Sequence, residues 1–288
     1  MKIAITGAGG LIGSHLAQSL KREHEVLPLK HSDLDITDSQ VATSYLLNKR
    51  PALIINCATT EVDDCERNPE LAQAIHIEGP HSLAHAASRI GAEFVHFSTN
   101  YVFDGREEGR SPYTVRDEPH PINVYGKVKL AGESAVREAS PRTFIIRTSW
   151  VYGSGKKAFL STVNRELLAG RPVRAVADNW ANTTYVMDLV ARIDEIMARG
   201  RYGTYHVVNE GICSYSEFAL AAGRLLGLSD ARLEQLVELI DETETKRPAP
   251  RPRYTPMHCL LSEEMGLVPM RNWRSALGDY LSAPTLTT

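Results

Sequence analysis

The sequence predicts an α/β fold, a doubly wound parallel sheet followed by a smaller α/β C-terminal lobe, and three observations carry that prediction. The first half repeats a short apolar run, a turn and a longer stretch with helical spacing, which is the sequence form of βα units. A glycine-rich turn follows the first apolar run directly. Beyond Trp150 the rhythm loosens. With 288 residues the chain can form one large domain or a main domain with a companion. The expected division gives residues 1–150 to the main domain and 151–288 mainly to the lobe, with some segments of the lobe returning to the main domain.

The strands are expected near Lys2–Thr6, Glu25–Leu29, Ala52–Asn56, Glu93–Ser98 and Thr143–Thr148, each a run of apolar or β-branched residues. Leu11–Arg22 has helical spacing, as does Thr37–Arg50, where Thr37 and Gln40 are spaced as a capping box. Right-handed crossovers would place these helices on both faces of the sheet. Pro69 is expected in the first turn of a helix running to about Ile90, where a missing N–H costs little. In the second half, helices are expected at Ala158–Leu168, Tyr185–Arg199, Ser214–Leu226 and Asp230–Leu239, with a strand at Val173–Val176. Lys246–Pro256 holds four prolines among four basic residues, so it must be extended or irregular.

A formal net charge of -3 and a charged fraction of 23% give no electrostatic reason to expect nucleic acid or a membrane as partner. Cys57, Cys65, Cys213 and Cys259 form no CxxC pair, which argues against a disulfide framework and a zinc site. No metal site is expected. A strand begins almost at the first residue and no apolar run approaches the length of a membrane span. The expectation is a cytoplasmic protein.

The glycine-rich turn reads Thr6-Gly7-Ala8-Gly9-Gly10-Leu11-Ile12-Gly13. Gly7, Gly10 and Gly13 give GxxGxxG between a strand and a helix, which makes the expected main domain Rossmann-type. Glycines let the backbone approach a pyrophosphate, whose charge then faces the unpaired N–H groups of Leu11, Ile12 and the rest of the first helical turn. A carboxylate ending the second strand would select NAD by binding the ribose 2′-hydroxyl. Here Lys30, His31 and Ser32 stand instead, which favours NADPH; a lysine in a surface turn can also be merely solvated, and NADH stays the alternative. Asp35 and Ile36 are placed to flank the adenine, although Thr37 and Asp38 can also simply start a helix. Cys57, Ala58 and Thr59 follow the third strand with small side chains where the nicotinamide-side ribose must pass, and Phe97 completes the expected cofactor contacts.

Tyr125 and Lys129 form Tyr-x-x-x-Lys at the start of a predicted helix, so both side chains share one face. An ammonium beside a tyrosine, together with the cofactor's positive charge, favours the phenolate and fits the tyrosine to serve as general acid. Such a pair also arises by chance, the tyrosine packing and the lysine lying in water. Its weight comes from Phe97-Ser98-Thr99-Asn100-Tyr101-Val102-Phe103-Asp104-Gly105, which leaves the fourth strand where an α/β crevice should lie. Thr99 would orient a substrate carbonyl.

GxxGxxG, STNYVFDG, the run Asn123–Glu133 and Arg147-Thr-Ser-Trp-Val-Tyr-Gly153 follow one another in this order. With Gly203–His206, Ser214–Phe218 and the basic Arg247-Pro segment, the chain resembles the dTDP-4-dehydrorhamnose reductases, extended short-chain dehydrogenases acting on sugar nucleotides, over nearly its whole length. The resemblance implies that Thr99, Tyr125 and Lys129 are the catalytic trio. Tyr125 would protonate the C4 oxygen of a nucleotide-linked 6-deoxy-4-ketosugar while a nicotinamide delivers hydride to C4, and Lys129 would also hold the nicotinamide ribose. Asn100 and Trp150 match positions that contact the sugar, Trp150 having a core aromatic as its plain alternative. Arg251 and Arg253 match a diphosphate-facing segment, or are solubilising. The implied conversion is dTDP-4-dehydro-L-rhamnose to dTDP-L-rhamnose; a homodimer stays open as the assembly.

Four stretches depart from the family pattern. Cys57–Glu61 is one residue shorter than the usual Ala-Ala-Tyr-Thr run and lacks its aromatic, and Asn100 replaces the commoner Asp. Lys156-Lys157-Ala158-Phe159 stands where asparagines often precede the phenylalanine, and Asp178–Thr184 replaces Asp-Gln-x-Gly-x-Pro-Thr. Two alternatives therefore stand beside the first reading: a reductase of another nucleotide-linked 4-ketosugar in deoxysugar or antibiotic biosynthesis, and a regulatory protein like the methionine adenosyltransferase β subunit, which resembles the same family. The intact trio favours turnover.

Overall fold

The computed structural model describes residues 1–106, 111–155 and 157–283; the expectation on Lys156 lies outside them. Six parallel strands form the main sheet in the order Gly203–His206, Thr143–Thr148, Glu93–Thr99, Leu53–Asn56, Lys2–Thr6, Glu25–Leu29. The central strands are buried along their length, as in a sheet covered by helices on both faces. Strand order reverses between Lys2–Thr6 and Leu53–Asn56, because the chain leaves the first strand to one side and the third to the other. A crevice at the carboxyl ends of these two strands is the expected ligand site of such a sheet. The glycine turn and the segment beginning at Cys57 border it.

Several boundaries differ from expectation, each for a local reason. The fourth strand runs on to Thr99, and the third starts at Leu53. Asp38, not Thr37, caps the helix Ser39–Lys49, its carboxylate accepting the Val41 N–H at 3.0 Å. Thr37 is turned away because its N–H and hydroxyl both donate to Asp35, at 2.9 and 2.8 Å. The helix expected from Pro69 to Ile90 divides into Pro69–Gln73, a π-helical turn over Ala74–Glu78 and Gly79–Ile90. Pro80 has no N–H to continue the α-helical ladder, and the wider turn takes up the mismatch. The helix expected to reach Leu239 ends at Leu236, and Val237–Ile240 pairs in parallel with Val173–Val176. There a tertiary strand partner outweighs the helical spacing.

Two of the apolar cores meet at the glycine turn. One lies on the main sheet and takes in the helix Val186–Arg199 through Leu189, Val190, Ile193 and Ile196. The other joins Phe159–Leu168, Tyr215–Leu225 and Trp273–Ser282 around Tyr152, Phe218 and Trp273. Adjacent residues of the glycine turn divide between them: Ile12 packs on the first core and Leu11 on the second. Among the described residues no helix is long and apolar enough to cross a membrane, and no group of three or more His, Cys, Asp or Glu could hold a metal.

Candidate active site

A cavity of about 440 Å³ opens at the carboxyl ends of the sheet strands. Gly10–Gly13 and Cys57–Val62 form part of its wall, and Phe97–Tyr101, Tyr125 and Lys129 another. Gly7 lies behind the lining. It adopts φ +65°, and a Cβ there would stand 2.6 Å from the backbone of Cys57 and Ala58, so only glycine lets these two turns touch. No side chain caps the helix that starts at Leu11, and the first N–H groups of a helix have no partner within it. A close-approach turn and an uncapped helix start fit a pyrophosphate. Lys30, His31 and Asp35 stand exposed in the segment after the second strand. The Lys30 stem passes beside Gly9, whereas Asp35 is engaged by Thr37, and Ile36 is buried in the core beneath Ser39–Lys49 and Gly79–Ile90. None of these four lines the cavity itself.

Tyr125 and Lys129 stand one turn apart on the helix Val124–Ala139. Its start is fixed by Asn123, whose side chain accepts the Gly126 N–H at 2.8 Å and donates to the Pro250 carbonyl at 2.8 Å. Thr59 and Thr99 both reach the Tyr125 hydroxyl. Burial nevertheless raises the phenol pKa well above its usual value, the two threonine hydrogen bonds opposing it. Tyr125 is therefore protonated at neutral pH. Desolvation dominates at this group, and the protonated phenol is the form that a general acid needs. The same burial lowers Lys129 to about 8, with Glu133 acting in the opposite sense, and its Nζ donates to the Phe97 carbonyl.

Beneath Lys129 lies a closed ion pair. Glu133, fully buried, accepts two hydrogen bonds from Arg147 at 2.8 and 2.7 Å and one from Ser98 at 2.5 Å. Thr99 ends the fourth strand, and Asn100 follows it at the cavity wall. Trp150 borders the cavity with φ +41°, its ring 4.0 Å from Tyr215. Arg251 also lines the cavity, but its guanidinium is held by Asp63 at 2.8 Å and its side chain is 8% exposed. Arg253 lies outside the lining, exposed and paired with Asp178 at 2.5 Å. Tyr215, Arg247, Phe159 and Glu61 also line the cavity, the first two without having been singled out from sequence. Tyr215 and Arg247 sit inside segments that carry the resemblance; Phe159 and Glu61 fall where the chain departs from it.

A family profile described as the RmlD substrate binding domain matches residues 1–285. The dTDP-4-dehydrorhamnose reductase of Mycolicibacterium smegmatis is 39% identical over 286 residues, spanning 98% of this chain and 85% of that protein. This chain belongs to the dTDP-4-dehydrorhamnose reductase family. Among solved members, that of Clostridium acetobutylicum superposes with a TM-score of 0.90 at 37% identity, covering 98% of this chain and 99% of the other. The Bacillus anthracis reductase, solved in complex with NADP, superposes with a TM-score of 0.91 at 34% identity and covers 98% of each chain. Family membership spans both cores, so the glycine turn, the Tyr125 helix and the C-terminal lobe belong to one enzyme architecture.

Proposed function

We propose that this chain is an NADPH-dependent reductase of the C4 keto group of a nucleotide-linked 6-deoxy-4-ketosugar, converting dTDP-4-dehydro-L-rhamnose to dTDP-L-rhamnose. The observation that carries the reading is the meeting of Thr99, Tyr125 and Lys129 on one wall of a cavity whose other wall holds the glycine turn. The chain's likeness to named reductases, and to one that holds NADP, supports the substrate and the cofactor. Gly7, Gly10 and Gly13 would cradle the pyrophosphate and Lys30 would face the 2′-phosphate. Cys57, Ala58, Thr59, Phe97 and Lys129 would border the nicotinamide side. When bound, NADPH supplies the hydride that reduces C4.

The chain's own groups manage the proton. Tyr125 hands its phenolic proton to the C4 oxygen, turning the carbonyl into a hydroxyl. Thr99, its own hydrogen engaged by Asn100, stands against the phenol and aligns it with that oxygen. Lys129, as an ammonium, stabilises the phenolate that Tyr125 becomes. Trp150 and Asn100 wall the sugar, and Arg251 faces the diphosphate. The reaction is assigned to the cytoplasm, where the four free cysteines stay reduced. Asn100, an amide where the family commonly has a carboxylate, favours as second reading a reductase of another nucleotide-linked 4-ketosugar.

The test follows nicotinamide absorbance while purified protein meets NADPH or NADH and dTDP-4-dehydro-L-rhamnose. Cofactor oxidation that Tyr125→Phe slows by about 10²- to 10⁴-fold is expected. A Tyr125→Phe protein as fast as the parent would sink the acid assignment, and consumption of a different 4-ketosugar alone would move the substrate.

A further inference from the structure

We propose that Thr255 is a positioning residue for the reduction, acting through Asn100 on the Thr99 hydroxyl; the inference rests on the reductase reading above. Asn100 Nδ2 donates to Thr255 Oγ1 at 2.7 Å across 155 residues of sequence. Asn100 Oδ1 accepts from the Thr99 hydroxyl at 3.3 Å, and Thr99 Oγ1 accepts the Tyr101 N–H at 3.1 Å. Thr99, Asn100 and Thr255 are 6%, 2% and 1% exposed, so solvent does not compete for these bonds. A hydroxyl has one hydrogen and two lone pairs, and it rotates until its partners fix it. One partner here takes the hydrogen and another takes a lone pair. That leaves one lone pair of Thr99 Oγ1 for the cavity that Thr99 and Tyr125 line together. Asn100 maintains that bearing only while its own amide is kept from turning, and Thr255 is the group that keeps it.

Thr255 is built as an anchor. Its branched side chain restricts χ1, and Pro256 after it disfavours a helical backbone at this position. The Thr255 N–H donates to the Trp180 carbonyl at 2.9 Å. On either side, Tyr254 N–H donates to the Gly105 carbonyl at 3.1 Å, and the Pro256 carbonyl accepts the Tyr113 N–H at 2.7 Å. Asn100, which borders the cavity, thus directs these two side-chain bonds into the protein and not to a sugar. Loss of the Thr255 hydroxyl should act on the chemical step more than on substrate affinity.

Steady-state rates of the wild type, T255V, T255S, N100A and the N100A/T255V double variant test this. T255V keeps the shape and removes the hydroxyl, and its kcat is expected to fall about ten- to a hundredfold, the scale of a misplaced reacting group. KM for the keto sugar should stay within about twofold, since the interaction lost is not a ground-state contact. T255S should restore kcat, and the double variant should be no slower than N100A. A T255V enzyme with wild-type kcat, a change confined to KM, or additive losses would overturn the proposal. Nuclear magnetic resonance of protein carrying isotope-labelled asparagine gives a readout independent of turnover. The Asn100 side-chain amide, assigned by its loss in N100A, should shift and exchange faster in T255V and stay put in T255S; Thr255→Ala replaces T255V should that variant not fold. Were the wild type to reduce no keto sugar, the reductase reading alone would fail, and an Asn100 amide indifferent to Thr255 would still overturn the link.

Discussion

Burial acts on Tyr125 and Lys129 in opposite directions, raising the phenol and lowering the ammonium. If Lys129 must be charged to hold the Tyr125 phenolate, kcat/KM should decline as pH rises through about 8, the value to which burial brings Lys129. A pH–rate profile of the free enzyme checks this, and a flat profile to pH 9.5 would remove Lys129 from that role. The same shift has a stability sign. Between about 8 and the ordinary 10.5, the unfolded chain binds more protons at this lysine than the folded chain does. Stability from this group therefore rises with pH across that window. Denaturant titrations at both ends of it should show the rise in the wild type and lose it in Lys129→Met. At the cofactor end, Lys30→Ala should raise the KM for NADPH by about tenfold, as loss of one charged hydrogen bond does, and leave that for NADH unchanged. Equal effects on both cofactors would mean that Lys30 is only solvated.

The helix Val124–Ala139 is held at three levels: by its Asn123 cap, by close backbone approach at Gly132, and by the Glu133–Arg147 pair. A Cβ at Gly132 would lie 2.0 Å from the His76 carbonyl, inside the π-helical turn Ala74–Glu78. Gly132→Ala should therefore lift the helix off that turn and destabilise the fold by about 1–3 kcal/mol, the usual cost of overpacking. A chemical denaturation midpoint equal to the parent's would show that the turn yields freely. Glu133→Ala leaves the Arg147 guanidinium buried without its counter-ion, and its expected cost is about 3–5 kcal/mol. The pair joins the helix to the strand Thr143–Thr148, so the variant should also loosen Lys129, which lies one turn before Glu133.

Across the whole molecule, the glycine turn is the place where these two cores meet. Leu11 and Ile12 pack into different cores from consecutive positions. A cofactor bound to that turn should stabilise both cores together. With NADPH at a hundred times its Kd, linkage gives about 2.7 kcal/mol. Calorimetry should show one transition moving upward as a unit; a second transition left behind by NADPH would mean that the C-terminal core unfolds on its own. The extended segment from Lys246 to Pro256 adds a second tie. It meets the main sheet's loops at Gly105 and Tyr113 and the smaller lobe at Trp180.

What the sequence determined by itself is what neighbours in the chain can encode. Five sheet strands, the glycine turn and the Tyr125–Lys129 pair follow from periods of two, three and four residues, because backbone geometry over such distances depends little on the rest of the molecule. Tertiary structure alone decided whose partner each side chain became. Val237–Ile240 is a strand because Val173–Val176 lies beside it, and Asp63 reaches Arg251 across 188 residues. Gly203–His206 closes the main sheet from the far half of the chain. The protonated state of Tyr125 belongs with these: desolvation is set by everything packed around a group, and no spacing along the chain states how much that will be.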